Sequence, residues 1–395
     1  MAAPSYRRLL AFLALFGAMV SATSDRVARS RSQFTQIPKD YAANILSQAL
    51  EREDQCKAHY DNYTNPYIFD DWEEGHVHAS NLASCILDQL PEWAKSEFTT
   101  VSIALGLIPP TIQVLGPDTT GIALLSMRRP LLASLLSFGS PAIRVGADPV
   151  EVLRSVPRVK FNATYLFVGP GDLNWKRRAF IMAVSAVEYG IAGAAVFSVA
   201  YHVWFLTYQA VCWAAIQLFQ TTHLPETAAP LFWVLFVVPV KLMCDFAIRW
   251  RVKKTACDGN FSGMRNRGII ETSIYWTYDS ICSELTPYMY SKPFYFHTID
   301  EGPAWLFFSR FLNLASLAQL LMGGIILSTM FFVGFRDTII TATWFLSSAV
   351  ACRIVVAFEL YWMRLNALEI PSDDGYKTVA RGQDKLILIT STPAC

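Results

Sequence analysis

Residues 98–115, FTTVSIALGLIPPTIQVL, carry no charged side chain, and four more tracts of similar character follow at 179–220, 230–248, 312–335 and 338–358. A hydrocarbon core about 30 Å thick is crossed by roughly 20 apolar residues of helix, whereas a soluble core is built from amphipathic spacing. Only 16% of the chain is charged and 53% is hydrophobic, against about 25% charged in soluble domains. The expected fold is therefore an all-α polytopic membrane protein with about five transmembrane helices. A net charge of +1 offers no electrostatic footprint for nucleic acid; the expected partners are the lipid bilayer and other membrane proteins.

The first apolar block is different. MAAPSYRR is a basic start, LLAFLALFGAMV a short apolar middle, and Val20 and Ala22 fit a small-residue cleavage site. Residues 1–22 read as a signal peptide, with an uncleaved anchor as the alternative. Either way the next segment is delivered to the lumenal or extracellular side, and the protein enters the secretory pathway.

ALLSMRRPLLASLLSFGSP, residues 123–141, is apolar apart from Arg128 and Arg129. Centring both in a bilayer would cost about 2.5–3.5 kcal/mol each, and each leucine returns only about 0.3–0.6. The six leucines present do not cover that, so this stretch is not expected to cross. Pro130 suits the first helical position and Gly139 and Pro141 a stop. An interfacial helix is expected, with Leu131, Leu132, Leu135, Leu136 and Phe138 on one face, Ala133, Ser134 and Ser137 opposite, and the arginines in the headgroups. A buried amphipathic helix in a soluble loop is the other reading.

Basic residues set the orientation. Segment 117–178 has nine Lys/Arg against four Asp/Glu, RWRVKK follows residue 248, and TTHLPETAAP (221–230) has no Lys or Arg. The positive-inside rule then places 116–178 in the cytosol as a basic loop, 249–311 as an aromatic-rich loop and 359–395 as the tail. The tract 179–220 is awkward, since 42 helical residues would reach about 63 Å. It reads as one long helix that protrudes on the lumenal side.

Residues 23–97 form an acidic lumenal head with seven Lys/Arg and thirteen Asp/Glu, in which DYAANILSQALERED and ASCILDQL look helical. Cys56 and Cys85 are its only cysteines and are expected to form a disulfide in an oxidising compartment. Asn62-Tyr63-Thr64 is a glycosylation sequon on the translocated side, whereas those at Asn162 and Asn260 fall in the cytosol. In DDWEEGHVH, His76 and His78 would project on one side of an extended segment as a weak metal-site candidate; a solvated acidic loop is the plainer reading.

Four of the polar residues within the spans lie at similar depth. Glu188 is ten residues from Arg178, Lys241 eight from Arg249, Arg353 eleven from Arg364 and Gln319 nine from Arg310. At 1.5 Å per residue all lie about 12–17 Å from the cytosolic face. The expectation is a common polar layer in which Glu188 pairs with Arg353 or Lys241. It could serve a substrate or proton, or be a charge pair that locks helices, or consist of basic chains, Lys241 and Arg353, that snorkel to the interface. Ala186, Gly190 and Ala194 recur every four residues, as small-residue stripes do where helices approach closely.

No P-loop, HExxH, GxSxG or complete GxGxxG occurs, and no cofactor is indicated. VGPGDLNW reads as an ordinary turn. The stretch 274–305 gathers tyrosines with Trp276, Glu284, His297, Asp300 and Glu301; these could line a cytosolic cavity, though aromatic packing at the headgroups is the simpler role. Three functions are open: a non-enzymatic scaffold, sensor or accessory protein, a small-solute or proton-linked transporter using the Glu188/Lys241/Arg353 layer, or a membrane-embedded enzyme.

CILDQLPEWAKSEF leading into ALGLIPPTIQVLG, then IALLSMRRPLLASLLSFGSPAI, resembles a family of multi-span membrane proteins from filamentous ascomycete fungi that has no established activity. The likeness is best over residues 85–143, and the later spans agree in pattern only. It implies a fungal endomembrane or plasma-membrane protein. A place in a specialised-metabolite pathway is a weak implication, and no site residues carry over.

Overall fold

The computed structural model describes residues 56–64, 72–141, 143–144, 152, 174–214, 228–256, 283–290, 294–298 and 303–369. The expected signal peptide, the helix over 40–54, the sequons at Asn162 and Asn260 and most of the tail lie outside them.

Five helical segments are long and apolar enough to cross a membrane: Glu92–Leu115, Ala179–Thr207, Ala229–Arg249, Leu306–Ser328 and Phe335–Leu365. This is the five-span helical architecture expected, with displaced boundaries. Two short helices of the head come first, α1 (Lys57–Thr64) and α2 (Trp72–Gln89). The first span is α3 (Glu92–Gly106) and α4 (Ile108–Leu115). Its break falls at Leu107, just ahead of Pro109 and Pro110, because a proline has no N–H to offer the preceding turn.

Two short helices follow, α5 (Thr119–Ser126) and α6 (Pro130–Gly139). The second span is α7 (Asn174–Gln209), 36 residues in one helix, roughly 54 Å. It is continuous, as expected, but stops at Gln209 rather than running to 220. There the chain turns into β1 (Val211–Cys212), and its backbone hydrogen bonds pass to a strand. The third span is α8 (Ala228–Leu235) and α9 (Val237–Arg251), followed by β2 (Val252–Ala256). After a 3-10 turn at Tyr288–Tyr290 come β3 (Phe294–Thr298) and α10 (Pro303–Ser328). Then β4 (Met330–Phe331), α11 (Phe335–Asn366) and β5 (Ala367–Glu369) complete the described chain. β1 pairs antiparallel with β4, and β3 lies between β2 (antiparallel) and β5 (parallel).

Large apolar side chains on the outer helix faces, among them Phe197, Trp204, Phe307 and Ile354, are exposed, as lipid-facing positions require. Gly323 makes the close approach of α10 to α8, since a Cβ there would lie 2.3 Å from Nε1 of the fully packed Trp233. A Cβ on Gly190 would meet nothing within 4 Å and Ala186 and Ala194 are exposed, so the stripe makes no contact between helices among the described residues.

The head has its own apolar cluster, with Tyr63, Leu82 and Ile86 buried around the Cys56–Cys85 disulfide, whose Cα atoms are 5.9 Å apart. The cluster continues onto Phe98, Val211 and Phe332, seating the head on the end of the bundle where α7 finishes and α11 begins. Phe332 takes φ 65°, a left-handed conformation that non-glycine residues rarely hold. Its ring meets Phe98 edge-on at 5.7 Å.

The pair α5–α6 is the main departure from expectation. Its helices, of 8 and 10 residues, are shorter than a crossing needs, but neither do they lie on a surface. All eight residues of α5 are buried, and in α6 the buried face is Leu132, Ala133, Leu136, Ser137 and Gly139, while Leu131 is 57% exposed. Of the small residues expected opposite the leucines, Ala133 and Ser137 are therefore inside, and Ser134 is half-buried. A Cβ on Gly139 would touch Ala195 of α7 and Cys352 of α11, and one on Gly121 would touch Leu360. Small side chains let this hairpin wedge among the spans.

Candidate functional site

The wedge carries Arg129 into the bundle. Helix α6 starts at Pro130, so Arg129 is its N-cap residue and the turn after α5 aims its side chain between α7 and α11. It has no exposed surface. Its Nη1 donates to Glu188 on α7 and to Glu359 Oε1 on α11 (2.5 Å), its Nη2 to Ser185 Oγ (2.9 Å) and its Nε to the Glu284 carbonyl (2.9 Å). Ser185 and Glu188 are three apart on α7 and so share a face.

Burial works against the charge on Arg129, but Glu359 and Glu188 outweigh it and hold the group above the ordinary arginine value. It remains a cation. Arg128 differs: its guanidinium is 5.2 Å from the ring centroid of Tyr288. The expectation that both arginines sit in the headgroups is therefore corrected for Arg129. The insertion cost used for it applies to an isolated helix and falls away when two carboxylates of other spans meet the cation.

A second tier closes around this ion cluster. Glu284 Oε1 accepts from the Leu132 N–H (3.0 Å), one of the orphan donors at the start of α6, and from the Tyr189 hydroxyl (2.6 Å). Tyr288 is fully buried and its N–H donates to Glu359 Oε2 (3.0 Å). Burial pushes the Tyr288 phenol above its ordinary value, so it stays neutral. The 283–290 segment is thus part of the cluster's wall. Of the other residues singled out in 274–305, His297 is on β3 opposite Lys253, and Trp276, Asp300 and Glu301 lie outside the described residues.

The four residues of the expected polar layer are not one site. Glu188 is buried but pairs with Arg129, not with Lys241 or Arg353. Lys241, also buried, donates Nζ to the Ala133 carbonyl of α6 (2.5 Å). Arg353 is on an outer face and its Nη1 reaches the carbonyls of Val114 (3.1 Å) and Leu115 (3.5 Å), the unpaired end of α4. Gln319 is 2% exposed and holds the chain after α6, donating to the Pro141 carbonyl (2.6 Å) and accepting from the Ile143 N–H (2.9 Å). Gln113 and Ser316 both donate to the Ile143 carbonyl, at 2.9 and 2.7 Å. Every one of these contacts fastens the α5–α6 hairpin or its exit to a span, except that of Arg353, which caps α4.

Glu359 is a partner of Arg129 that the sequence reading did not single out. Ending the last span at Phe358 left it in the tail, although the apolar pattern runs on through Leu360, Tyr361 and Trp362. A lone carboxylate inside that continuation was the available signal. Ser185, Tyr189 and the position of Glu284 had no comparable sign.

Among the described residues no group of three or more His, Cys, Asp or Glu could hold a metal ion. The extended segment assumed for His76 and His78 is instead α2. Asn62 is on α1.

By helix composition this is a multi-pass membrane protein. Compared with known proteins, it matches no family model, no curated protein and no solved structure.

Proposed function

We propose that the protein is a non-enzymatic scaffold or accessory component of a secretory-pathway membrane, with a disulfide-bonded head on one side and a rigid cytosolic half on the other. The observation that carries this reading is the use made of the intramembrane polar groups. Glu188, Glu359, Lys241, Gln319, Gln113 and Ser316 are each engaged in fastening the α5–α6 hairpin or its exit. Groups that move a solute must exchange partners; these are tied to backbone carbonyls and to one fixed guanidinium.

The orientation is the one set by basic loops: head lumenal or extracellular, α5–α6 and the 283–290 segment toward the cytosol. Asn62 then carries the N-glycan while Asn162 and Asn260 remain bare. The resemblance to fungal multi-span proteins fits an endomembrane or cell-surface location. Purified protein in sealed vesicles is expected to give proton and solute flux equal to that of empty vesicles. A flux that disappears in E188Q would move the protein to the transporters.

A further inference from the structure

We propose that Arg144 and Arg353 form a binding site for the phosphodiester headgroup of an anionic phospholipid in the leaflet opposite the head. The two side chains come from distant parts of the sequence and converge on one acceptor, the Val114 carbonyl, at 3.3 and 3.1 Å from Nη1 of each. Arg353 Nη1 also reaches the Leu115 carbonyl (3.5 Å), and Arg144 Nε donates to Asp118 Oδ1 (3.0 Å). Two cations that share a neutral acceptor repel, and an anion held between them relieves that repulsion.

Backbone contacts fix both positions. The Arg144 carbonyl accepts from the Thr119 N–H and from Thr119 Oγ1, both at 2.9 Å, which ties the two ends of the α5–α6 hairpin together. Arg353 is carried by α11, which packs along α4.

The charges do not balance. Among the described residues Asp118 is the one carboxylate that either arginine meets, so the patch keeps one net positive charge. α4, α5 and α6 contain no charged side chain, and Glu359, further along α11, is buried against Arg129. A phosphodiester carries the single negative charge that is missing. Donors remain for it as well: Nη2 of both arginines and Nε of Arg353 make no hydrogen bond among the described residues, and a guanidinium fork suits phosphate oxygens.

The patch lies on a lipid-facing surface at headgroup depth. Both arginines are exposed, as are the neighbouring Val114 and Ile354, and a cation so placed in a span requires an anion or water. Counted from Asp337 at the head end of α11, Arg353 is about 24 Å along the helix, close to the far edge of a core about 30 Å thick. Headgroup phosphates begin just beyond that edge, within the reach of an arginine chain. This inference rests on the chain spanning a membrane and not on the scaffold reading.

Native mass spectrometry of the full chain, released from nonionic detergent micelles that carry a little lipid, tests it. Wild type is expected to retain phosphatidylglycerol about tenfold or more over diacylglycerol with the same acyl chains, the scale set by hydrogen bonds to a charged group. R144Q combined with R353Q removes that preference, and R336Q, at the head end of α11, keeps it. D118N preserves the oxygen that accepts from Arg144 and deletes the one negative charge, so it retains phosphatidylglycerol more strongly than wild type. That variant decides the matter should the double variant not fold. No preference in wild type, a preference unchanged in the double variant, or weaker retention in D118N would overturn the proposal. Inorganic phosphate that displaces the lipid at equal concentration would make this a site for soluble anions and overturn the lipid assignment.

Discussion

Arg128 and Arg129 are adjacent and identical in chemistry, which makes each the control for the other. In Arg129→Ala, Glu188 and Glu359 lose their cation, Ser185 and the Glu284 carbonyl lose a donor, and the space left is enclosed on all sides. Removing one partner from a buried charge group costs about 3–5 kcal/mol, because the charge left behind has no water to turn to. That lowers the folded-to-unfolded ratio by roughly two to four orders of magnitude. Arg128→Ala removes a cation–π contact with Tyr288, about 0.5–2 kcal/mol. Reversible unfolding in mixed micelles, followed by tryptophan fluorescence, measures both. R129A is expected to shift the midpoint far more than R128A, and R129A combined with E188Q and E359Q to recover much of the loss. Equal effects, or a loss below about 1 kcal/mol in R129A, would refute a buried Arg129 and restore the headgroup placement.

Gly323→Ala drives a methyl into the Trp233 indole and is expected to cost about 1–3 kcal/mol, whereas Gly190→Ala, with open space around it, stays within about 1 kcal/mol of wild type in the same unfolding assay. Gln319→Leu leaves the Ile143 N–H and Pro141 carbonyl without their partner; a loss of about 1–3 kcal/mol per orphaned group is expected, read as faster proteolysis after residue 141. Replacing Cys56 and Cys85 by serine opens a 29-residue separation, worth about 3–4 kcal/mol, and is expected to unfold the head at lower denaturant while the spans stay helical by circular dichroism. Glycan mapping is expected to find sugar on Asn62 alone; sugar on Asn162 or Asn260 would reverse the orientation.

The spans were legible because lipid demands unbroken apolar helix, and that demand is local in sequence. Where a helix ends was less so: α7 stops at Gln209 because β1 pairs with β4, whose residues come more than a hundred positions later. Of the α5–α6 hairpin only α6 was legible, as a helix started by Pro130 and ended near Gly139. Its burial was not, since the partners of Arg129 are Glu188 and Glu359, 59 and 230 residues away. Composition alone cannot distinguish an arginine at the headgroups from one met by two carboxylates. The depth estimate grouped Glu188, Lys241, Gln319 and Arg353, of which the first three are buried and Arg353 is exposed. It paired them wrongly because equal depth says nothing about which face of each helix they occupy.

The central claim is that Arg129 and Glu359 touch inside the bundle. A double-mutant cycle with R129M and E359Q, measured by unfolding in micelles, reads that contact directly. Residues in contact couple by about 0.5–3 kcal/mol, and independent sites add to within about 0.3–0.5. The structure predicts coupling at or above the upper part of the first range; additive losses would contradict it.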